Sequence, residues 1–247
     1  ANELYNEDLL YKLFGVNAEL LIDHAWGYEP CTIAEIKAYR PESNSISSGQ
    51  VLQSPYTFEK ARVVIREMTE ALVFDLVEKG LVTNQMVVTV GYDIESLAPG
   101  AAEYKGEVTR DRYGRKVPKH AHGTENLDGF TSSTSRIEAA VLRLYDRIVD
   151  EHLFVRRMNV VANRVIRKED VKEDLNGFEQ LDLFTDYAAL EKEKEAEKEK
   201  EAKEEQIQQA LLTIKNKYGK NAVLRGMNFR EGATARDRNK QIGGHKA

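Results

Sequence analysis

The sequence predicts an α+β fold: a sheet backed on one face by two amphipathic helices and left bare on the other. Three observations lead there. Two segments carry apolar residues at helical spacing, several others alternate apolar and polar residues, and the elements run strand, helix, strand, one or two strands, helix, strand.

From Leu4 to about Arg40, apolar residues recur at helical spacing (Leu9, Leu10, Leu13, Phe14; Leu20, Leu21, Ala25; Ile33, Ile36), interrupted by Gly15, Gly27 and Pro30. This predicts a cluster of short helices, too small to bury a core alone. Pro41 to Asn44 reads as a linker and Ser45 to Leu52 as extended chain. Thr57 stands where a cap belongs, before a helix whose face is Phe58, Ala61, Ile65, Met68, Leu72 and Leu76. That helix closes at Lys79-Gly80.

Met86, Val88, Val90 and Tyr92 alternate through Gln85–Tyr92, the pattern of a half-buried strand. Pro99–Gly123 is a Gly-rich, charged excursion with a hairpin expected around Tyr113-Gly114, and Thr124–Ser132 reads as a further strand. Ser135 and Glu138 predict a capping box on a second helix with Ile137, Ala140, Val141, Leu144 and Ile148 on one side. A last strand spans Val155–Ile166.

Beyond Lys168 polarity rises. Tyr187–Tyr218 reads as one long helix, charged through Glu191–Glu205 and then carrying a stripe of Ile207, Leu211, Ile214 and Tyr218. The expected domains are 1–41 (helical), 42–170 (sheet and helices), 171–190 (linker), 191–218 (charged helix) and 219–247 (mobile tail).

Composition narrows the function classes. The net charge of −5 argues against a protein that coats polyanions through global charge, so local charge matters more. One cysteine, Cys31, allows no internal disulfide, and there is no signal peptide or long apolar run, which points to the cytoplasm. The chain opens at Ala1 without Met, straight into an amphipathic pattern, as expected of a piece of a longer protein.

Candidate chemistry is sparse. His120 and His122 lie at strand spacing but do not complete a tetrahedral zinc site, and Cys31 is far away in sequence. Asp93 and Glu95 share a face at a strand end, where a lone pair of acids is ordinarily solvated. Lys105, Arg110, Arg112, Arg115, Lys116 and Lys119 give the excursion a phosphate-facing character. Ser45, Ser47, Ser48, Thr131, Ser132, Ser133, Arg136, Arg156, Arg157, Arg164 and Arg167 supply hydroxyls and cations for backbone contact without base reading. Gln180-Leu181-Asp182-Leu183-Phe184 sets two apolar anchors behind a hydrogen-bonding Gln in a polar segment, the build of a peptide that docks into a preformed pocket.

That peptide resembles the motif by which bacterial polymerases and repair proteins bind the ring-shaped sliding clamp. Leu10–Val16 with Ala18–Ala25 is similar to the end of the thumb of Y-family, UmuC-like translesion DNA polymerases, and Ser43–Gln50 to the junction where their little-finger domain begins. The resemblance covers roughly residues 5–185 and implies a four-stranded sheet backed by two helices. It also implies sequence-independent grip on primer–template duplex, tethering to the sliding clamp, and a role in the DNA-damage (SOS) response of the cytoplasmic nucleoid.

The partner would be the catalytic N-terminal part of the same polymerase. The family's acidic palm motifs have no counterpart here, so catalytic residues and metals are expected to be none, the magnesium ions belonging to that palm. Three other readings stand beside this one, the third being an independent enzyme, against which the absence of a nucleophile, cofactor loop or complete metal set counts. An RNA-binding sheet requires exposed aromatics, of which Tyr92 is the candidate, and a scaffold built on the long helix requires a heptad seam, which Glu191–Glu205 lacks.

Overall fold

In this computed structural model, residues 7–39, 44–99, 104–111, 113–171, 187–242 and 245–246 are described. They form two compact units, Ala1–Glu42 and Ser43–Ala247.

The first unit holds α1 (Glu7–Phe14), α2 (Asn17–Ala25) and α3 (Ile33–Ala38). Gly15, at φ +57, turns α1 into α2, a conformation in which a Cβ is costly. Thr32 and Glu35 form a reciprocal capping box on α3: the Thr32 hydroxyl accepts from Glu35 N–H at 3.2 Å, and the Glu35 carboxylate accepts from Thr32 N–H at 2.7 Å. Ala18 is this unit's only buried residue among those described, while Leu13, Trp26 and Ile33 are more than 60% exposed. Three such short helices leave most of their apolar surface outside.

The second unit is built on β1 (Ile46–Tyr56), α4 (Phe58–Glu78), β2 (Leu81–Tyr92), the hairpin β3–β4 (Val108–Arg110, Lys116–Pro118), β5 (Ala121–Thr131), α5 (Thr134–Ile148), β6 (Val155–Asn163) and β7 (Ile166–Arg167). The antiparallel order is β1-β6-β2-β5, with β7 added against the start of β2. The sheet therefore has five strands rather than four, because the chain resumes pairing after a bend at Arg164. Helices α4 and α5 pack on the same face of the sheet and on each other. Between them and the sheet lies the core: Ala61, Ile65, Met68, Leu72, Ile137, Val141 and Leu144 against Met86, Val88, Val90, Met158, Val160 and Ala162.

Local signals mostly took the expected form. Gly80 at φ +64 ends α4, and Gly114 at φ +76 turns the β3–β4 hairpin. Thr57 is the N-cap of α4 by position, but its hydroxyl makes no capping bond. The capping box expected on Ser135 and Glu138 does not form. Ser133 caps α5 instead, accepting from Arg136 N–H at 3.3 Å, and Glu138 pairs with Arg66 and Arg225. β5 begins at Ala121 rather than near Thr124, so His122 is a strand residue.

The long helix α6 (Tyr187–Tyr218) docks on the helical layer through only one residue of its apolar stripe, Leu211, together with residues beside it. Leu212 and Gln208 are buried, whereas Ile207 and Tyr218 stay more than 60% exposed. Residues expected to form a mobile tail fold back over α4: Met227 and Asn228 are buried, and the short helix α7 (Ala235–Arg238) packs on α4. The anchor is Glu67, buried on α4, whose carboxylate accepts from Asn228 Nδ2 at 2.7 Å, Thr234 N–H at 2.7 Å and Ala235 N–H at 3.0 Å. No described helix is long and apolar enough to cross a membrane.

Candidate functional site

Between the bulges, strand alternation sorts residues by face. Because paired residues share a face, the registers place Gln85, Val87, Thr89 and Gly91 of β2 beside Asn163, Val161, Asn159 and Arg157 of β6. Ser47, Gly49 and Val51 of β1 flank β6, and His122, Thr124 and Asn126 of β5 flank β2. These fourteen paired positions lie on the face that the helices leave open, and none of them is acidic in a chain with 41 acidic residues; Asp128, exposed beyond the paired part of β5, is an acid at its edge. The one acid of the paired part of β5, Glu125, faces the helices and bonds Arg147 at 2.8 Å.

The open face is hydroxyl and carboxamide surface with little charge. Gln85 Nε2 donates to Asn126 Oδ1 at 2.8 Å and Asn163 Nδ2 to Gln85 Oε1 at 3.4 Å, a rung of amides across three strands. Thr89 Oγ1 and His122 Nδ1 are 2.9 Å apart. Arg157 crosses the face over Gly91: a Cβ at position 91 would lie 2.4 Å from Arg157 Nε and 2.6 Å from its Cγ. The missing side chain is what lets the guanidinium lie along the sheet.

Arg157 and Arg164 form no ion pair among the described residues, unlike Arg156 with Asp93 at 3.5 Å and Arg167 with Glu169 at 3.2 Å. Arg164 is also the one non-glycine residue at positive φ among those described, at 51°. It is exposed, at the bend that joins β6 to β7.

The other expected site residues separate. Ser47 lies on the open face and Ser45 just before it, whereas Ser48 points to the helical side and lines a cavity of about 270 Å³ with Glu67 and Glu70. Arg115, Lys116 and Lys119 sit on the hairpin, where Arg115 pairs with Asp111 at 2.7 Å and Lys119 with Glu107 at 2.6 Å. Thr131 and Ser133 are buried in the cap of α5, and the Ser132 carbonyl accepts from Gln208. Glu204 of α6 caps the same helix end, accepting from Ser133 Oγ at 2.7 Å and Ser135 N–H at 2.9 Å. Arg136 pairs with Glu201 at 2.7 Å.

Gln180, Leu181, Asp182, Leu183 and Phe184 lie outside the described residues. Tyr92, the aromatic that a base-stacking sheet requires, is buried on the helical side, its hydroxyl accepting from Asp150 N–H at 3.0 Å. No described cluster of three or more His, Cys, Asp or Glu is placed to hold a metal ion.

A model of the impB/mucB/samB family C-terminal domain matches residues 43–182, more than half of the chain. The chain belongs to this family. Its membership accords with the resemblance to the C-terminal part of a Y-family polymerase, and the matched span coincides with the sheet and its helices.

Among solved structures, the chain is similar to the complex of a beta-clamp processivity factor with the little finger domain of PolIV (8% identity, TM-score 0.34, covering 54% of this chain and 99% of that one). It is also similar to an insertion ternary complex of Dbh DNA polymerase (13% identity, TM-score 0.31, 66% and 39%). At such TM-scores the family match alone carries the assignment. No match was found among curated proteins.

The side chains that sequence reasoning missed are Gln85, Thr89, Thr124, Asn126, Asn159 and Asn163. Their signal was present in the alternation: once Met86, Val88 and Val90 are assigned to the core, residues 85, 87 and 89 must face outward.

Proposed function

We propose that this impB/mucB/samB-family domain grips primer–template duplex DNA through the open sheet face, as part of a translesion polymerase, independently of base sequence. The observation that carries the reading is the paired part of the open face, hydroxyls and carboxamides without an acid, crossed by Arg157. Such a surface admits a phosphate backbone without repulsion, and its short polar side chains hydrogen-bond phosphate and sugar without selecting bases. Arg164 at the end of β6 and Arg115, Lys116 and Lys119 on the hairpin add cations at its margins. Ion pairs on exposed lysines and arginines exchange at little cost for phosphate contacts. A surface indifferent to base identity suits a template that carries damage.

The second element is tethering. Gln180–Phe184, with Leu183 and Phe184 as anchors, would hold the domain to a bacterial sliding clamp and raise its local concentration at DNA, where modest affinity suffices. The sequence of the peptide is its support.

The test of the grip is fluorescence anisotropy of primer–template duplex against the full chain across a salt series. The expected result is affinity that falls steeply as salt rises and varies little with base sequence. Salt-independent binding, or loss of affinity on changing sequence alone, overturns it. For the tether, Leu183→Ala with Phe184→Ala abolishes binding to the clamp while sparing DNA, and unchanged clamp affinity overturns it.

A further inference from the structure

The β3–β4 hairpin presents something that the sheet face lacks: an exposed aromatic ring on a cationic tip. Tyr113 is 66% exposed at the turn, and the Arg115 guanidinium sits 5.1 Å from its ring centroid. The turn is held by Asp111, whose carboxylate accepts from Tyr113 N–H at 2.9 Å, from Arg115 N–H at 3.0 Å and from the Arg115 guanidinium. The base is fixed as well. Pro118 is buried, β4 packs on the 3-10 turn Ile94–Leu97, and Tyr104 packs against the core.

Charge concentrates on the same element. Residues 104–119 contain six Lys or Arg against two acids, in a chain whose net charge is −5. Phosphate attraction accounts for the cations, and the exposed Tyr113 ring adds a flat apolar face beside them. A flat ring backed by a guanidinium, on a turn whose Tyr113 and Arg115 N–H groups donate to Asp111, is equipped to stack on a base that is not itself stacked in a duplex.

We infer that the hairpin tip binds single-stranded DNA beside the duplex held by the sheet, Tyr113 stacking on an unpaired base while Arg115 and Lys116 hold the flanking phosphates. This rests on the duplex-binding reading of the sheet face and adds to it a second, base-contacting site indifferent to which base is present.

The test compares three DNAs on the full chain by anisotropy: blunt duplex, the same duplex with a single-stranded overhang, and that duplex with an overhang of abasic nucleotides, which keeps the phosphates and removes the bases. The expected result is tighter binding of the normal overhang than the abasic one, by roughly five-fold or more for one stacked base. Tyr113→Ala abolishes that preference and leaves blunt-duplex affinity unchanged, whereas Tyr113→Phe and Tyr113→Trp keep it.

Equal binding of normal and abasic overhangs by the parent chain, or an overhang preference that survives Tyr113→Ala, overturns this inference while leaving the sheet-face grip intact. Failure to bind any of the three DNAs overturns both.

Discussion

The two faces of the sheet treat charge in opposite ways. On the helical side each buried carboxylate is met by donors: Glu67 accepts from Asn228, Thr234 and Ala235 of the C-terminal segment, Glu70 receives Arg225 at 2.8 Å, and Glu138 lies between Arg66 and Arg225. On the open side Arg157 lies over a glycine with no acid among the paired positions around it. Charges buried together are spent on holding the chain to itself, since an unpaired one there is costly. A charge left without a counterpart on a polar surface remains available to something outside. The fold thus divides its polar chemistry into a clasp on one side and a contact surface on the other.

Breaking the clasp gives the largest effect. Glu67→Ala leaves Asn228 Nδ2 and the N–H groups of Thr234 and Ala235 without their acceptor, and is expected to cost about 3 kcal/mol in urea unfolding. DNA affinity should be unchanged, and a parallel fall in affinity would show that the two faces are not separate.

Next is Arg157→Ala, which should weaken primer–template binding by about 1.5 kcal/mol and lower the salt slope by about one, with stability intact. Gly91→Ala tests the same contact from below, because its Cβ displaces the guanidinium.

Arg164→Gly separates the two currencies by sign. Releasing a left-handed arginine should raise stability by about 1 kcal/mol while DNA affinity drops.

The smallest effect is one of pH on the clasp. Burial pushes the Glu70 carboxyl above the ordinary glutamate range, with Arg225 and Lys215 opposing. A carboxyl raised on folding favours the folded state increasingly as pH falls from the raised value toward the ordinary one. Comparing urea midpoints of the parent chain and Glu70→Gln from neutral to mildly acidic pH should therefore show a relative gain for the parent as pH falls. A relative loss would mean that the Arg225 pairing dominates.

Much of this was legible in the sequence. The alternation through Met86–Tyr92, the apolar faces of α4 and α5, the Gly80 stop and the turn at Tyr113-Gly114 are local patterns and form as local patterns. Ser47 and Ser48 were grouped as one gripping set, yet neighbours on a strand face opposite ways, so only one reaches the open side. The hydroxyls around Ser133 were read as free when a carboxylate 71 residues later caps the same helix end. The C-terminal segment escaped notice because it docks by hydrogen bonds from Asn228 and Thr234, which leave no trace in hydrophobic periodicity. For the same reason α6 turns Gln208 inward and leaves Ile207 in solvent.

At the head of β6 the pairing skips a residue between Gly91 and Tyr92, so that Val155 and Met158, odd and even, are both buried. That single bulge resets the parity of the strand. Drift in the sequence of β6 is therefore tolerable so long as the count is kept: many substitutions at Asn159 or Val161 would alter the surface by degrees, but one residue gained or lost past Arg157 would exchange the entire set for Met158, Val160 and Ala162. The surface is inherited as a reading frame.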